Sequence, residues 1–589
     1  MSLQFITGNS GNGKTKYLFN RIVKEAKANP RDNYLVIVPE QFTMQTQRQL
    51  VDLSENKAIM NIDVLSFKRL AYRVFDELGI TNLTVLEETG KNLVLRKLAA
   101  QEADKLGVIG RNLNRIGYIS EVKSLLSELV QYNISPEELG RYIASGRLSD
   151  TLSDKLKDVL VLYEAFEKFM QDKYITAEEI LNVLSNVAEE SAILRNSVIA
   201  FDEFTGFTPI QNQLIKKLFV ISKKIYVTLT IDCREDIFKS RGMQELFDMP
   251  KRTVKSLTEM AAFYGIEVEE PIILDKNYRL AENEELSFME QQLFRKRRCS
   301  FKKAPKHIHI DCLRDPKQEL TKIARRINEL VRNENLRYRD IAIVTGDVNI
   351  YAGYVREIFD KYNIPYFIDA TQEILFHPFI EFIRSIPDIA AQNFSADAVF
   401  RFLRCGFSEL LDSEIDVLEN YVLACGVRGK SAWDKKWVRL PKHKAGYDLE
   451  LLNQSREYIM ELLKPVYQVF SDKKSTVKDY VLAIYKLIVL LDIPDKLAKK
   501  EQALLDAGDQ TASKEYGQIY KIVMQLFEKY VAVLGDECMD AEEFTQILDA
   551  GLDAADVAVI PPGYDTVTIG DIERTRLTNI KVMFFAGVN

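Results

Sequence analysis

Short, continuous apolar runs alternate with amphipathic stretches at the start of this chain. Leu3-Gln4-Phe5-Ile6, Tyr34-Leu35-Val36-Ile37-Val38 and Ile62-Asp63-Val64-Leu65 have the length and apolar content of parallel strands buried on both faces. Between the first two, Lys16 to Ala28 reads as a helix. From about Asn82 to about Glu190 the period becomes helical only. Leu156, Val159, Leu160, Tyr163 and Phe166 form one stripe, and Ser135-Pro136-Glu137-Glu138 and Thr176-Ala177-Glu178-Glu179 read as capping boxes. Strands return at Ser197-Val198-Ile199-Ala200-Phe201 and at Lys224 to Ile231. His307-Ile308-His309-Ile310 alternates like a strand and begins a second alternation. A helix from Pro316 to Asn333 follows, then strands at Asp340 to Val344 and Ile364 to Asp369. From about Ala391 to Ala555 the chain is again largely helical; Trp433 and Trp437 read there as packing residues, and Asp540-Ala541-Glu542-Glu543 opens a late helix. Thr566 to Gly570 and Lys581 to Gly587 read as the last strands.

Strands alternating with helices predict an α/β protein of doubly wound parallel sheets. The pattern gives two such units, each interrupted by a helical insertion. Residues 1–82 and 191–300 make the first, around an insertion at 83–190; residues 301–390 and 561–589 make the second, around an insertion at 391–560. The 589 residues exceed what one core supports. A chain ending directly after a buried-type strand is expected to be part of something longer.

Composition narrows the classes. With 47% hydrophobic and 28% charged residues the chain belongs among ordinary globular proteins. A net charge of −7 gives no global attraction for nucleic acid, so any such contact must be local. Six scattered cysteines (Cys233, Cys299, Cys312, Cys405, Cys425, Cys538) form no CxxC pair and suggest neither a zinc or iron–sulfur site in this stretch nor a disulfide framework. No signal peptide or membrane-length apolar run is present, so a cytoplasmic location, away from any membrane, is expected.

The chemistry centres on Gly8-Asn9-Ser10-Gly11-Asn12-Gly13-Lys14-Thr15, between the first strand and the first helix. A triphosphate needs several backbone N–H groups turned toward one oxyanion cluster, which glycine permits, and the following helix N-terminus adds partial positive charge. Gly8, Gly11, Asn12, Gly13, Lys14 and Thr15 are therefore the expected ATP-binding residues, with Lys14 reaching the β/γ-phosphates and Thr15 ligating Mg²⁺. The strand ending at Phe201 runs into Asp202-Glu203. Asp202 is expected at the Mg²⁺ ion and Glu203 at the attacking water. Arg279 is read either as a cation for the γ-phosphate or as a surface arginine. Arg295 to Lys306 carries seven positive charges in twelve residues, which suits a phosphate backbone or a solvated linker. His307 and His309 have no third ligand in view and read as plain strand residues. Loops at strand carboxyl ends face a common cleft, so single-stranded DNA is expected at Gln41, Thr43, Ser66 and Phe67 of the first unit and at Arg574 and Arg576 of the second.

Two α/β units with helical insertions resemble a superfamily 1 helicase of the UvrD type, and more closely the AddB (RexB) family. The residues that carry this are spread over nearly the whole chain. They include the glycine loop, Val38-Pro39-Glu40-Gln41, Val64 to Leu70 and Phe204-Thr205-Gly206-Phe207-Thr208-Pro209. Further on are Arg337 to Ala342, Ile364 to Asp369, His377-Pro378, Gly570 to Arg576 and Phe585 to Asn589. The resemblance implies two RecA-like P-loop NTPase domains and a role in double-strand break repair. It implies heterodimerisation with an AddA-like helicase–nuclease subunit, DNA ends and single strands as substrates, and help in recognising a Chi-type sequence. It also implies a C-terminal nuclease domain held by an iron–sulfur cluster, none of which lies in these residues. A UvrD-type motor carries a glutamine before the phosphate loop, a glutamine in its third motif and a late arginine in its sixth. Here Met1 to Thr7 holds only Gln4, the third-motif position reads Asp232-Cys233-Arg234-Glu235, and the sixth motif would lie beyond Asn589. Two readings stand: a DNA-scanning scaffold that binds nucleotide, and an ATP-hydrolysing translocase in its own right.

Overall fold

The computed structural model describes residues 1–80, 85–86, 88–107, 118–145, 148–170, 174–295, 299–369, 372–374, 376–441, 447–553, 556–557, 565–573, 575, 577 and 580–588. The chain forms two compact units, one of Met1–Leu86 with Ser124–Cys312 and one of Glu87–Lys123 with Leu313–Asn589.

In the first unit the strands are β1 (Ser2–Gly8), β2 (Tyr34–Ile37), β3 (Ile62–Leu65), β4 (Val85–Leu86), β5 (Ile175–Thr176), β6 (Val198–Phe201), β7 (Lys224–Thr230), β8 (Glu267–Val268) and β9 (Ile272–Leu274). β4 and β5 pair with each other, and the rest form a parallel sheet in the order β3-β2-β6-β7-β1-β8, with β9 also on β1. The runs that look uniformly apolar in sequence divide by alternation between two cores. Leu3, Phe5, Leu35, Ile37, Ile199, Phe201 and Val227 face helices Phe67–Leu78, Ile180–Val187 and Pro209–Ile221. Ile6, Tyr34, Val36, Val198, Ala200 and Tyr226 face helix Lys14–Ala28, whose Leu18, Phe19 and Ile22 are buried against them. Apolar cover on both faces is what a parallel sheet requires. Helix Pro209–Ile221 starts at a complete capping box, Thr208 with Gln211, and Pro209 sits at its first turn, where the missing N–H costs nothing.

The second unit holds β10 (Ile341–Thr345), β11 (Tyr366–Ile368), β12 (Gln372–Glu373), β13 (Asp556–Val557), β14 (Val567–Asp571) and β15 (Val582–Ala586). Its parallel sheet runs β11-β14-β10-β15, and β12 pairs antiparallel with β13. Helices Pro316–Asn333 and Val348–Lys361 cover it with Leu320, Ile327, Val355 and Phe359. No strand forms at 307–310, despite the alternation there; the backbone N–H groups of Lys306 and His307 bond to the Glu285 carboxylate instead of to a neighbouring strand.

The long helical stretch between β11 and β14 has its own core. Trp433 and Trp437 pack edge to face within it, and Asn453 bridges the backbone of Trp437 from both sides. Leu93, on helix Glu88–Gln101, belongs to this core, where Lys97 pairs with Glu537 and Arg96 donates to Gln546. Across the described residues the structure is thus α/β with parallel sheets and many helices.

His377 caps helix Pro378–Ala391: its Nδ1 accepts the Phe379 N–H at 3.1 Å, and the ring lies against Tyr516. It is 3% exposed, and that burial lowers its pKa to about 4. The unfolded chain takes up a proton near pH 6.5 that the folded chain refuses until about pH 4, so stability is lost as pH falls through that window. The loss should be about 2 kcal/mol between pH 7 and pH 5. His377→Asn keeps an acceptor for the capped N–H and should flatten this part of the curve, read from urea midpoints at the two pH values.

Candidate functional site

The register of the first sheet brings four strand ends to one edge. Gly8 lies opposite Thr230 on one side and Leu274 on the other, while Phe201 lies opposite Val227. The glycine loop leaves β1 at that edge and enters helix Lys14–Ala28. Gly11 and Gly13 adopt left-handed backbone, φ 87° and 80°, where a side chain would be strained. A Cβ on Gly11 would also lie 2.8 Å from Asn277 Oδ1 and 2.9 Å from Arg279 Cβ.

Lys14 Nζ donates to the carbonyls of Gly8 and Asn9, each at 3.1 Å. Burial lowers its pKa, opposed by the nearby charges of Glu203 and Asp202. The Thr15 hydroxyl donates at 3.3 Å to Asp202 Oδ1 and to Glu203 Oε1. Asp202 is buried and accepts a further bond from Thr228 at 2.5 Å. Glu203 is exposed and sits at φ 66°, a left-handed conformation that costs a side-chain-bearing residue about 1 kcal/mol or more. The strand thus ends with one carboxylate anchored in the sheet and the next turned out beside Thr15.

These groups fit a magnesium–triphosphate. Hydroxyl and carboxylate oxygens are the hard donors Mg²⁺ prefers, and a Mg²⁺ ion that shares phosphate oxygens needs only one or two protein carboxylates. Among the described residues no group of three or more His, Cys, Asp or Glu side chains is placed to hold a metal by itself.

Sequence reading singled out Arg279 on the segment that follows β9, but not how that segment is held. It is fastened to the glycine loop by Asn12 Nδ2 to the Leu274 carbonyl at 2.5 Å and Asn277 Nδ2 to the Ser10 carbonyl at 2.9 Å. The N–H groups of Tyr278 and Arg279 both reach the Gly11 carbonyl, at 3.0 and 3.4 Å. Arg279 is therefore beside the loop, with its side chain exposed. The Tyr278 ring, 66% exposed, offers an aromatic face at the loop's rim. The one signal in the sequence was that Asn277 and Tyr278 adjoin Arg279.

On the other flank, Asn9 donates to Glu290 and accepts the Cys233 N–H. Asp232 is 1% exposed and receives Arg234 and Arg295. Burial alone would raise its pKa, but the hydrogen bonds from Arg234 and Arg295 hold it well below the usual carboxylate range. Arg295 is thus spent on an internal ion pair and on the face of Phe247. Of the remaining basic stretch, Lys303 pairs with Glu284, and residues 296–298 lie outside the described residues.

The residues expected to meet DNA from the first unit gather after β2 and β3. Gln41 is exposed. Thr43 is buried, its hydroxyl donating to the Glu40 carbonyl, and Ser66 caps helix Phe67–Leu78 by accepting the Arg69 N–H. Phe67 is 8% exposed in a cluster with Phe201, Phe204 and Phe207, at ring separations of 5.3 to 6.3 Å. Arg574 and Arg576 lie outside the described residues. Between them, Thr575 donates to Asp369 and sits so close to Gly570 that no Cβ fits there.

A family model described as "ADDB, N-terminal" matches residues 5–290. Proteins named as a subunit of an "ATP-dependent helicase/deoxyribonuclease" match all of this chain. That of Lachnoclostridium phytofermentans is 39% identical, and this chain covers 52% of it. Those of Clostridium acetobutylicum and Caldanaerobacter subterraneus are each 32% identical, with 52% and 51% covered. The chain spans about half the length of the curated relatives it matches.

The Asp232 node gives a test of the site's frame. Removing the charge by Asp232→Asn leaves Arg295 poorly paired and should cost about 3 kcal/mol at neutral pH. A depressed carboxylate stabilises above its unfolded pKa and loses that contribution as pH falls toward the folded one. The gap between wild type and variant should therefore be flat at neutral pH and shrink below about pH 4 in urea titrations.

Proposed function

Because this chain belongs to the AddB family, we propose that it is the helicase-like part of a DNA helicase–deoxyribonuclease component that processes double-strand breaks for recombinational repair. In this reading it binds ATP–Mg²⁺ at Gly8 to Thr15 and single-stranded DNA across the strand ends, and it helps recognise a Chi-type sequence. In this reading it acts in the cytoplasm beside an AddA-like partner, and any iron–sulfur cluster lies outside these residues. Among the described residues no helix is long and apolar enough to cross a membrane. The observation that carries the nucleotide reading is the convergence of Thr15, Asp202 and Glu203 beside Lys14 on one glycine loop. Bound there, the magnesium ion would draw charge from the phosphate oxygens and make the terminal phosphorus a better electrophile. Lys14 would exchange carbonyl partners for phosphate oxygens, Thr15 and Asp202 would hold the metal's shell, and Glu203 would orient a water.

A second reading, ATP hydrolysis by this chain itself, is favoured by the outward-turned Glu203 and by Arg279 beside the loop. DNA-stimulated ATP turnover separates the two. Glu203→Gln should abolish any turnover while leaving nucleotide binding within about twofold, since water orientation and phosphate binding use different groups.

For binding, Lys14→Ala removes a charge-assisted contact of roughly 1.5–3 kcal/mol, or about tenfold or more in ATP affinity by calorimetry. Equal affinities would remove the site assignment. For DNA, changing Arg574 and Arg576 together to alanine should flatten the salt dependence of single-strand binding by about one unit of slope per lost phosphate contact. An unchanged slope would place the DNA elsewhere.

A further inference from the structure

Arg279 is exposed, and a long cation at a surface stays near a phosphate only if its backbone is held there. Beside the backbone bonds of Tyr278 and Arg279 to Gly11, one side chain of the segment itself, two residues before Arg279, ties it to the loop. Asn277 is half-buried and uses both ends of its amide. Its Nδ2 donates to the Ser10 carbonyl at 2.9 Å, and its Oδ1 accepts the Leu280 N–H at 3.0 Å. The first bond fixes the segment to the glycine loop; the second closes the turn that contains Tyr278 and Arg279. With that turn closed, the Tyr278 and Arg279 N–H groups both point at the Gly11 carbonyl, and the Arg279 Cβ lies 2.9 Å from where a Gly11 Cβ would be. The geometry leaves the Arg279 backbone little freedom, while its guanidinium remains exposed.

We propose that Asn277 is a positioning residue that fastens Arg279 to the glycine loop and thereby makes the site prefer a nucleoside triphosphate over a diphosphate. The proposal rests on the nucleotide reading above and deepens it. Lys14 and the loop's N–H groups serve the phosphates common to both ligands. A cation delivered from the loop's outer rim adds attraction for the extra terminal phosphate. A rotamer-rich arginine held at its base loses less entropy on binding than a free one. The partner in the fastening is a backbone carbonyl, so the function depends on Asn277 as a donor of the right length. Asp at this position lacks the donor and Gln would overreach. Ser is the informative change: it can still accept the Leu280 N–H in a local turn but cannot span to the Ser10 carbonyl.

The test is calorimetric binding of ATP and ADP, each with Mg²⁺, to the whole chain and to Asn277→Ala, Asn277→Ser, Arg279→Ala, Lys14→Ala and the double variant Asn277→Ala/Arg279→Ala. Asn277→Ala and Asn277→Ser should each weaken ATP by about tenfold, as for one lost charge-assisted contact, and leave ADP within about twofold. Arg279→Ala should do the same, and the double variant should lose no more than either single one, because the two residues act as one unit. Lys14→Ala should weaken both ligands. Equal losses for ATP and ADP in the Asn277 variants, additive losses in the double variant, or full ATP preference in Asn277→Ser would overturn the proposal. Wild-type protein that binds neither nucleotide would overturn the nucleotide reading together with it. Loss confined to Lys14→Ala would overturn the proposal alone. Circular dichroism melting of each variant identifies any that misfold, and Asn277→Ser, which keeps an acceptor for the Leu280 N–H, carries the ATP-against-ADP comparison if Asn277→Ala does.

Discussion

The pairing of β1 with β7 on one side and β9 on the other is the constraint on which the site depends. Parallel strands share a direction, so their carboxyl ends fall on one edge, and here register brings Gly8, Thr230 and Leu274 level. A shift of one residue would turn every strand side chain to the opposite face. It would also move the Leu274 carbonyl away from Asn12, whose buried amide donates to it. The same edge receives Asp202 from β6, since Phe201 is level with Val227. The apolar residues of the two cores are therefore what aligns the polar ones: Phe5 and Ile6 alternate between them and fix where the loop begins.

Much of this edge was legible in the sequence because it is local. The glycine loop, the strands flanking it and the acids after Phe201 are contiguous patterns with a direct physical reading. The helix Pro316–Asn333 appears with the predicted bounds for the same reason: Asp315 caps it, Pro316 opens it, and its apolar residues recur at helical spacing. The strand read at 307–310 shows the limit. Alternation of histidine and isoleucine satisfies the period, but a strand needs a neighbour, and the backbone there is claimed by Glu285.

Contacts between distant residues were not legible. The bond from Asn12 to Leu274 joins positions 262 apart, and nothing in the period of either segment announces the other. The same holds for Arg295, which reads in sequence as one charge in a basic run and in the fold lies 13% exposed against Asp232. Charge composition gave the sign of that stretch but not its partner. The aromatic cluster of Phe67, Phe201, Phe204 and Phe207 was half visible, as a strand end and a family segment, though only the sheet joins them.

Helix Glu88–Gln101 has a consequence for how this chain is made. It emerges early, yet Leu93 completes a core whose other members run as far as Leu552, and Arg96 waits for a partner 450 residues downstream. During synthesis at roughly 5–20 residues per second the helix stays unpartnered for tens of seconds, with Leu93 available to any other apolar surface. The chain passes between its two units at Leu86, at Lys123 and at Cys312, so residues 87–123 are made long before the rest of the unit they belong to. Every residue of the first unit is therefore made before any of this helix's core partners, the earliest of which is Ile374.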